Sequence, residues 1–187
     1  CTSATKDLAN ILLLDSAEIQ RDDTAYSNKK RAKRGEPLIE PLYSVDDAKK
    51  VAAMMDEVPY GKWIMLEKGI EVLYTDAGHI IGSAAVHVRV TDEGKTEQIT
   101  FSGDVGRYGD AILRSPDVFP QSDHIILEST YGNSLHEDIV RTEDHFLQWI
   151  NKTCVEKKGK LIIPAFSVGR TQELLYLLNQ LELEKQL

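Results

Sequence analysis

The chain has 187 residues, 42% hydrophobic and 28% charged, which suits one globular domain or a domain with a piece of another. No apolar run approaches the roughly 18–20 residues of a membrane span, and no secretory signal is recognisable, so a reducing cytoplasm is the expected compartment. The 22 basic and 30 acidic residues leave a net charge of −8, which argues against a protein that coats nucleic acid with positive potential.

A nucleic-acid enzyme remains open on charge grounds, because a metal centre can supply local positive charge. Cys1 and Cys154 are too few and too far apart for a disulfide framework or a structural zinc motif.

In chain order, Leu8, Ile11, Leu12 and the Leu13–Leu14 pair make a helical apolar face over Thr5–Gln20. The charged stretch Arg21–Pro41, with Gly35, Pro37 and Pro41, reads as an irregular excursion. It carries the one basic cluster, Lys29, Lys30, Arg31, Lys33 and Arg34, which serves as a solvated segment or as a phosphate-steering patch. Ser44 with Asp47 three residues on resembles a capping box, opening a short helix through Met54–Met55. Trp63–Leu66 and Ile70–Thr75 are short strand candidates. Ala84–Val90 alternates, turns through Asp92–Gly94 and returns as Thr96–Phe101, which predicts a hairpin.

After Pro120 the pattern changes. His124–Leu127 reads as a buried strand, Glu137–Lys157 as a long amphipathic helix, Lys160–Pro164 as another strand and Gly169–Leu187 as a closing helix. Strand, helix, strand, helix predicts parallel pairing in an α/β layer.

Three polar residues share one placement. His79 in DAGHIIGSA, Asp104 in SGDVGR and Glu128 in HIILESTYGN each follow a strand-like run, in breaks rich in glycine or turn residues. Strand ends on a rigid sheet can hold metal ligands fixed, and His and Asp are ligand types. Each also has a plainer reading: a hydrogen-bonded loop histidine, a turn aspartate, a helix-capping glutamate. Their common placement favours one shared site. His136 lies near Glu128 and suits either capping or proton transfer. His87 and His124 read as structural strand residues and His145 as a helix residue.

DAGHIIGSA, SGDVGR, ESTYGN and IPAFSVGRTQELL resemble, in order and context, the β-CASP branch of metallo-β-lactamase-fold nucleases. That branch includes the endonuclease subunit of the eukaryotic messenger-RNA 3′-end cleavage machinery and bacterial and archaeal relatives. The opening CTSATKDLANILLLDSAEI is also similar to the segment that follows the family's first metal motifs. The resemblance implies an α/β chain: residues 1–127 as the C-terminal part of a metallo-β-lactamase αββα core, and 128–187 as the start of a parallel α/β β-CASP domain.

By the same resemblance, His79 is a metal ligand, Asp104 a catalytic aspartate bridging two zinc ions, and Glu128 the acidic residue that supports a later general acid. The N-terminus of the GRTQELL helix, with Ser167, Gly169 and Arg170, meets RNA phosphate or serves only as a cap and packing turn. The implied activity is zinc-dependent hydrolysis of phosphodiester bonds in single-stranded RNA.

The family's HxHxDH cluster does not occur here, so an internal fragment, inactive alone, is expected. A metal-free scaffold paralogue of an RNA-processing complex is one rival, and a metallo-hydrolase of small phosphodiesters or thioesters another. Oligomeric state stays open, with a homodimer among the expectations because a cut-open domain exposes apolar surface.

Overall fold

The computed structural model describes residues 1–135 and 142–184. Its elements are α1 (Ser3–Lys33), α2 (Val45–Ala53), β1 (Ile64–Glu67), β2 (Ile70–Asp76), β3 (Ala84–Asp92), β4 (Lys95–Phe101), β5 (His124–Ile126), α3 (Thr142–Ile150) and α4 (Arg170–Leu183). The result is a mixed α/β fold with one five-stranded sheet in the order β1-β2-β3-β4-β5.

Strands β1 to β4 pair antiparallel, and β5 joins β4 in parallel. The β3–β4 hairpin closes on a two-residue turn with Asp92 opposite Lys95. Both turn residues, Glu93 and Gly94, have positive φ, as the twist-matched turn requires.

One sheet face holds a buried polar centre. Register sets Thr75 beside Ala85, Leu73 beside His87 and His87 beside Thr100, all buried. His87 Nε2 lies 2.8 Å from the Thr75 hydroxyl and Nδ1 lies 2.7 Å from the Thr100 hydroxyl. Phe119 meets the imidazole edge-on.

The network orients its own protons. Ser122 donates its hydroxyl proton to the Pro120 carbonyl, so Thr100 donates to Ser122 and must accept from His87 Nδ1–H. Nε2 is then the acceptor from Thr75. Burial pushes the His87 imidazole below its ordinary pKa, so it sits neutral between three strands. The strand histidine is thus a packing residue.

Three expectations need correction. Helix α1 continues through Arg21–Lys33, where an irregular stretch was expected. That segment contains neither glycine nor proline, and the breakers begin only at Gly35, whose φ is +68°. Residues 36–42 then fold back on the helix, through a paired Asn28–Ile39 amide contact and Arg31 Nε donating to the Pro37 carbonyl.

Second, Lys160–Pro164 forms no strand, with Ile162 86% exposed, so the expected second strand of a parallel unit is not made. Strand β5 is likewise paired on one side only, and Ile125, Ile126 and Leu127 are exposed rather than buried. Third, among the described residues of the expected long helix, Thr142–Ile150 is α-helical and Asn151–Glu156 widens into a π-helical turn; residues 137–141 lie outside the described residues. The Ser44–Asp47 capping box is formed as expected.

Candidate active site at one end of the sheet

Strand direction decides which loops meet. Because β3 runs antiparallel to both β2 and β4, those two share a direction, and β5 shares it too. The C-terminal ends of β2, β4 and β5 therefore lie at one end of the sheet. His79 follows β2, Asp104 follows β4 and Glu128 follows β5. The three strand ends are not consecutive in the sheet, since β3 passes between the first two in the opposite sense.

The first two loops touch backbone to backbone. Gly106 N–H donates to the Ala77 carbonyl at 2.8 Å. A Cβ on Gly106 would fall 1.7 Å from the Gly78 carbonyl oxygen, so only glycine permits this approach. Within its loop, the His79 N–H donates to Ser83 Oγ at 3.1 Å, and the Ala77 N–H to the Ser83 carbonyl. Gly78 N–H donates to Asp76 Oδ1. The hydroxyls of Thr2 and Thr5, at the start of α1, both lie 2.8 Å from the Gly82 carbonyl and brace the far side of the loop.

As a result His79 Nε2 and Asp104 Oδ2 come within 3.7 Å of each other, with side chains 45% and 71% exposed. A neutral imidazole nitrogen and a carboxylate oxygen are lone-pair donors. Two donors on one tetrahedral ion at ~2.0–2.1 Å stand about 3.3 Å apart, so the donor set fits a divalent cation with little movement. Among the described residues no third His, Cys, Asp or Glu joins them in a metal-binding group.

Glu128 sits behind this pair. Its Oε1 accepts from the Val105 N–H at 2.7 Å, on the residue after Asp104. The Val105 N–H, then the Thr130 hydroxyl and N–H and the nearby His79, hold the Glu128 carboxyl below its ordinary pKa, so it is anionic. Ser102 completes the brace: its hydroxyl accepts from the Glu128 N–H and its own N–H donates to the Ile126 carbonyl, both at 3.0 Å. Glu128 thus holds the Asp104 loop in place. A cleft of about 650 Å³ opens beside it, walled by Tyr108, Phe119, Leu127 and Tyr131.

Helix α4 approaches the same end. The position where a Gly169 Cβ would sit lies 3.4 Å from Ile80, next to His79. Gly169 N–H is taken by Gln172 Oε1 and Arg170 by Glu173 at 2.7 Å, while Ser167 is exposed and its carbonyl accepts from Gln172. The helix start is therefore internally capped. His136 lies outside the described residues.

Ser83, Ser102, Gly106 and Asp110 were not singled out from the sequence. Burial works against the Asp110 carboxylate, yet the Ile112 and Leu113 N–H groups and Arg107 outweigh it and hold its pKa below the ordinary value. Arg107 reaches on to Glu173 of α4, 3.8 Å away.

No protein-family model matches the chain. Among curated proteins, it is 34% identical over 139 residues to ribonuclease TTHA0252 of Thermus thermophilus, a match covering 74% of this chain and 31% of that protein. It is 32% identical over 186 residues to transcription termination factor FttA of Methanococcus maripaludis, covering 96% and 26%. Against endoribonuclease YSH1 of Kluyveromyces lactis it is 34% identical over 140 residues, covering 74% and 18%. The chain spans between about a fifth and a third of the length of these relatives.

Proposed function

Since the chain belongs to the β-CASP nuclease family, we propose that it is an internal portion of a metal-dependent ribonuclease that hydrolyses phosphodiester bonds of single-stranded RNA. The observation that carries the reading is the convergence of His79 and Asp104 at 3.7 Å on two glycine-locked loops, with anionic Glu128 bracing the second.

In this reading residues 1–127 are the later part of a metallo-β-lactamase core and 128–187 open the β-CASP domain. His79 and Asp104 would hold the metal through an imidazole nitrogen and a carboxylate, donor types that suit zinc. Metal held there would supply Lewis acidity and lower the pKa of water for attack on the phosphodiester. His79 contributes as neutral imidazole, its backbone fixed by Ser83. Glu128 is a positioning residue that keeps the Asp104 carboxylate aimed outward. The general acid and the remaining ligands belong to other parts of the whole protein.

The test is cleavage of labelled single-stranded RNA by the full-length protein. His79→Ala and Asp104→Asn are each expected to lower the rate by about 100-fold or more, and a chelator to abolish it. Cleavage unaffected by both substitutions and by chelation would overturn the assignment. Hydrolysis of small phosphodiesters or thioesters with no cleavage of RNA would replace it with a small-substrate hydrolase.

A further inference from the structure

The basic cluster singled out in the sequence is not on a loose excursion. It forms the last turns of α1, and its side chains sort onto two faces. At 100° per residue, Asn28 and Arg31 fall on one side, together with Gln20. That side is clamped by the return segment: Asn28 bonds both the Ile39 N–H and carbonyl, Arg31 bonds the Pro37 carbonyl, and Gln20 accepts from the Leu42 N–H.

The opposite side presents Tyr26, Lys29, Lys30, Lys33 and Arg34, spaced as i, i+3, i+4, i+7 and i+8, all exposed. The Lys30 ammonium lies 4.3 Å from the centre of the Tyr26 ring. Arg31 and Arg34 share Glu36, whereas among the described residues no acidic side chain pairs with Lys29, Lys30 or Lys33. A helix C-terminus favours cations and accounts for part of the cluster. It does not account for an exposed aromatic beneath them, nor for the clamp that stiffens the tip.

We propose that this clamped tip of α1 is an RNA backbone contact remote from the candidate active site, with Lys29, Lys30 and Lys33 meeting phosphates and Tyr26 offering a ring face to a base. The proposal rests on the nuclease reading for the identity of the polyanion. Unpaired lysines beside an exposed aromatic are the elements of single-strand binding, where charge tracks the backbone and rings stack bases.

The acidic residues on the same helix face, Asp22 and Asp23, stand seven residues before Lys29 and Lys30, about 10 Å at 1.5 Å per residue. That is about one Debye length at physiological salt, so they weaken the patch little.

The geometry also sets a length requirement. Helix α1 starts against Gly82 in the His79 loop and runs 31 residues, roughly 45 Å. Only a polymer can engage both ends, so the tip would discriminate long from short RNA.

The experiment is fluorescence anisotropy of this 187-residue chain with 5′-labelled single-stranded RNAs of about 30 and about 6 nucleotides, titrated across salt. The triple variant Lys29→Glu/Lys30→Glu/Lys33→Glu should lose at least about tenfold in affinity for the long RNA, and its salt slope should fall by about 2. The Lys→Gln version should show a smaller loss of the same sign, with unchanged helical circular dichroism in both. Binding of the short RNA should be weak for every form.

Three results would overturn the proposal: no binding of the long RNA by the unmodified chain, a triple variant indistinguishable from it, or an equal loss in a control carrying Lys62→Glu/Lys68→Glu/Lys95→Glu. Binding to phosphatidylserine vesicles in place of RNA would overturn it too, in favour of a membrane contact. Cleavage by the full-length protein is read separately. If that protein cuts RNA while the triple variant binds normally, the tip assignment fails and the nuclease reading stands; if it cuts none, the nuclease reading itself fails.

Discussion

Gly106 shows how tightly the His79 and Asp104 loops are joined. An added methyl would meet the Gly78 carbonyl oxygen at 1.7 Å and the His79 nitrogen at 2.8 Å, and both are backbone atoms that no rotamer change can move aside. Gly106→Ala should therefore cost roughly 2–3 kcal/mol in denaturant unfolding, as overpacking does. If the proposed function holds, it should lower RNA cleavage by the full-length protein by about 100-fold, because displacement of an active-site loop by about 1 Å has that scale of effect. An alanine variant with unchanged stability would show that the loops separate freely.

His87 makes a second prediction at this scale. Its folded pKa lies below the ordinary 6.5, so the unfolded chain takes up the proton first. The stability it contributes is complete above 6.5 and is lost as pH falls below that value. His87→Gln should lower stability at neutral pH and flatten its decline towards pH 5, compared by urea melts; a parallel decline would assign the acid loss to other groups. His79 and Asp104 were legible because their glycine-rich breaks follow strand patterns. Ser83, Ser102 and Gly106 lay inside the same quoted motifs but carried no visible role: Ser83 acts by closing its own loop onto the His79 N–H, and Ser102 and Gly106 through partners in another loop or strand.

At the level of elements, legibility followed local determination. The β3–β4 hairpin and the Ser44–Asp47 cap depend on residues within a few positions of one another, and both are where the pattern puts them. The fate of Lys160–Pro164 depends on whether a neighbouring strand is there to pair with it, which an apolar run cannot encode. The expected irregular stretch over Arg21–Pro41 rests on its charge and on Gly35, Pro37 and Pro41, but those breakers all lie beyond Lys33, and charged residues without Gly or Pro are sound helix formers. The hairpin also contains a correctable strain. Glu93 holds φ +47° in a turn position that asparagine or glycine normally fills. Glu93→Asn should raise stability by about 0.5–1 kcal/mol in thermal or urea unfolding, since asparagine tolerates that region at lower cost. No gain would mean that the Glu93 side chain contributes something the turn geometry does not reveal.

For the whole chain, the governing fact is that one end of the sheet brings His79 and Asp104 together, and among the described residues no further His, Cys, Asp or Glu joins them in a metal-binding group. The sheet supplies rigidity: β2 and β4 share a direction, Gly106 locks their loops, and Glu128 with Ser102 ties in β5. Rigidity does not replace donors. A complete four-ligand structural zinc site yields about 10–16 kcal/mol, and a preformed half of one should yield roughly half of that. Zinc should therefore bind this chain more weakly than about 1 μM, in calorimetric titration near neutral pH. His79→Ala should remove even that binding, since it takes away one of the two donors. The full-length protein should bind zinc orders of magnitude more tightly through the same two residues. Stoichiometric zinc retained through purification of the 187-residue chain would contradict this and would mean that donors beyond His79 and Asp104 complete the site from within the chain.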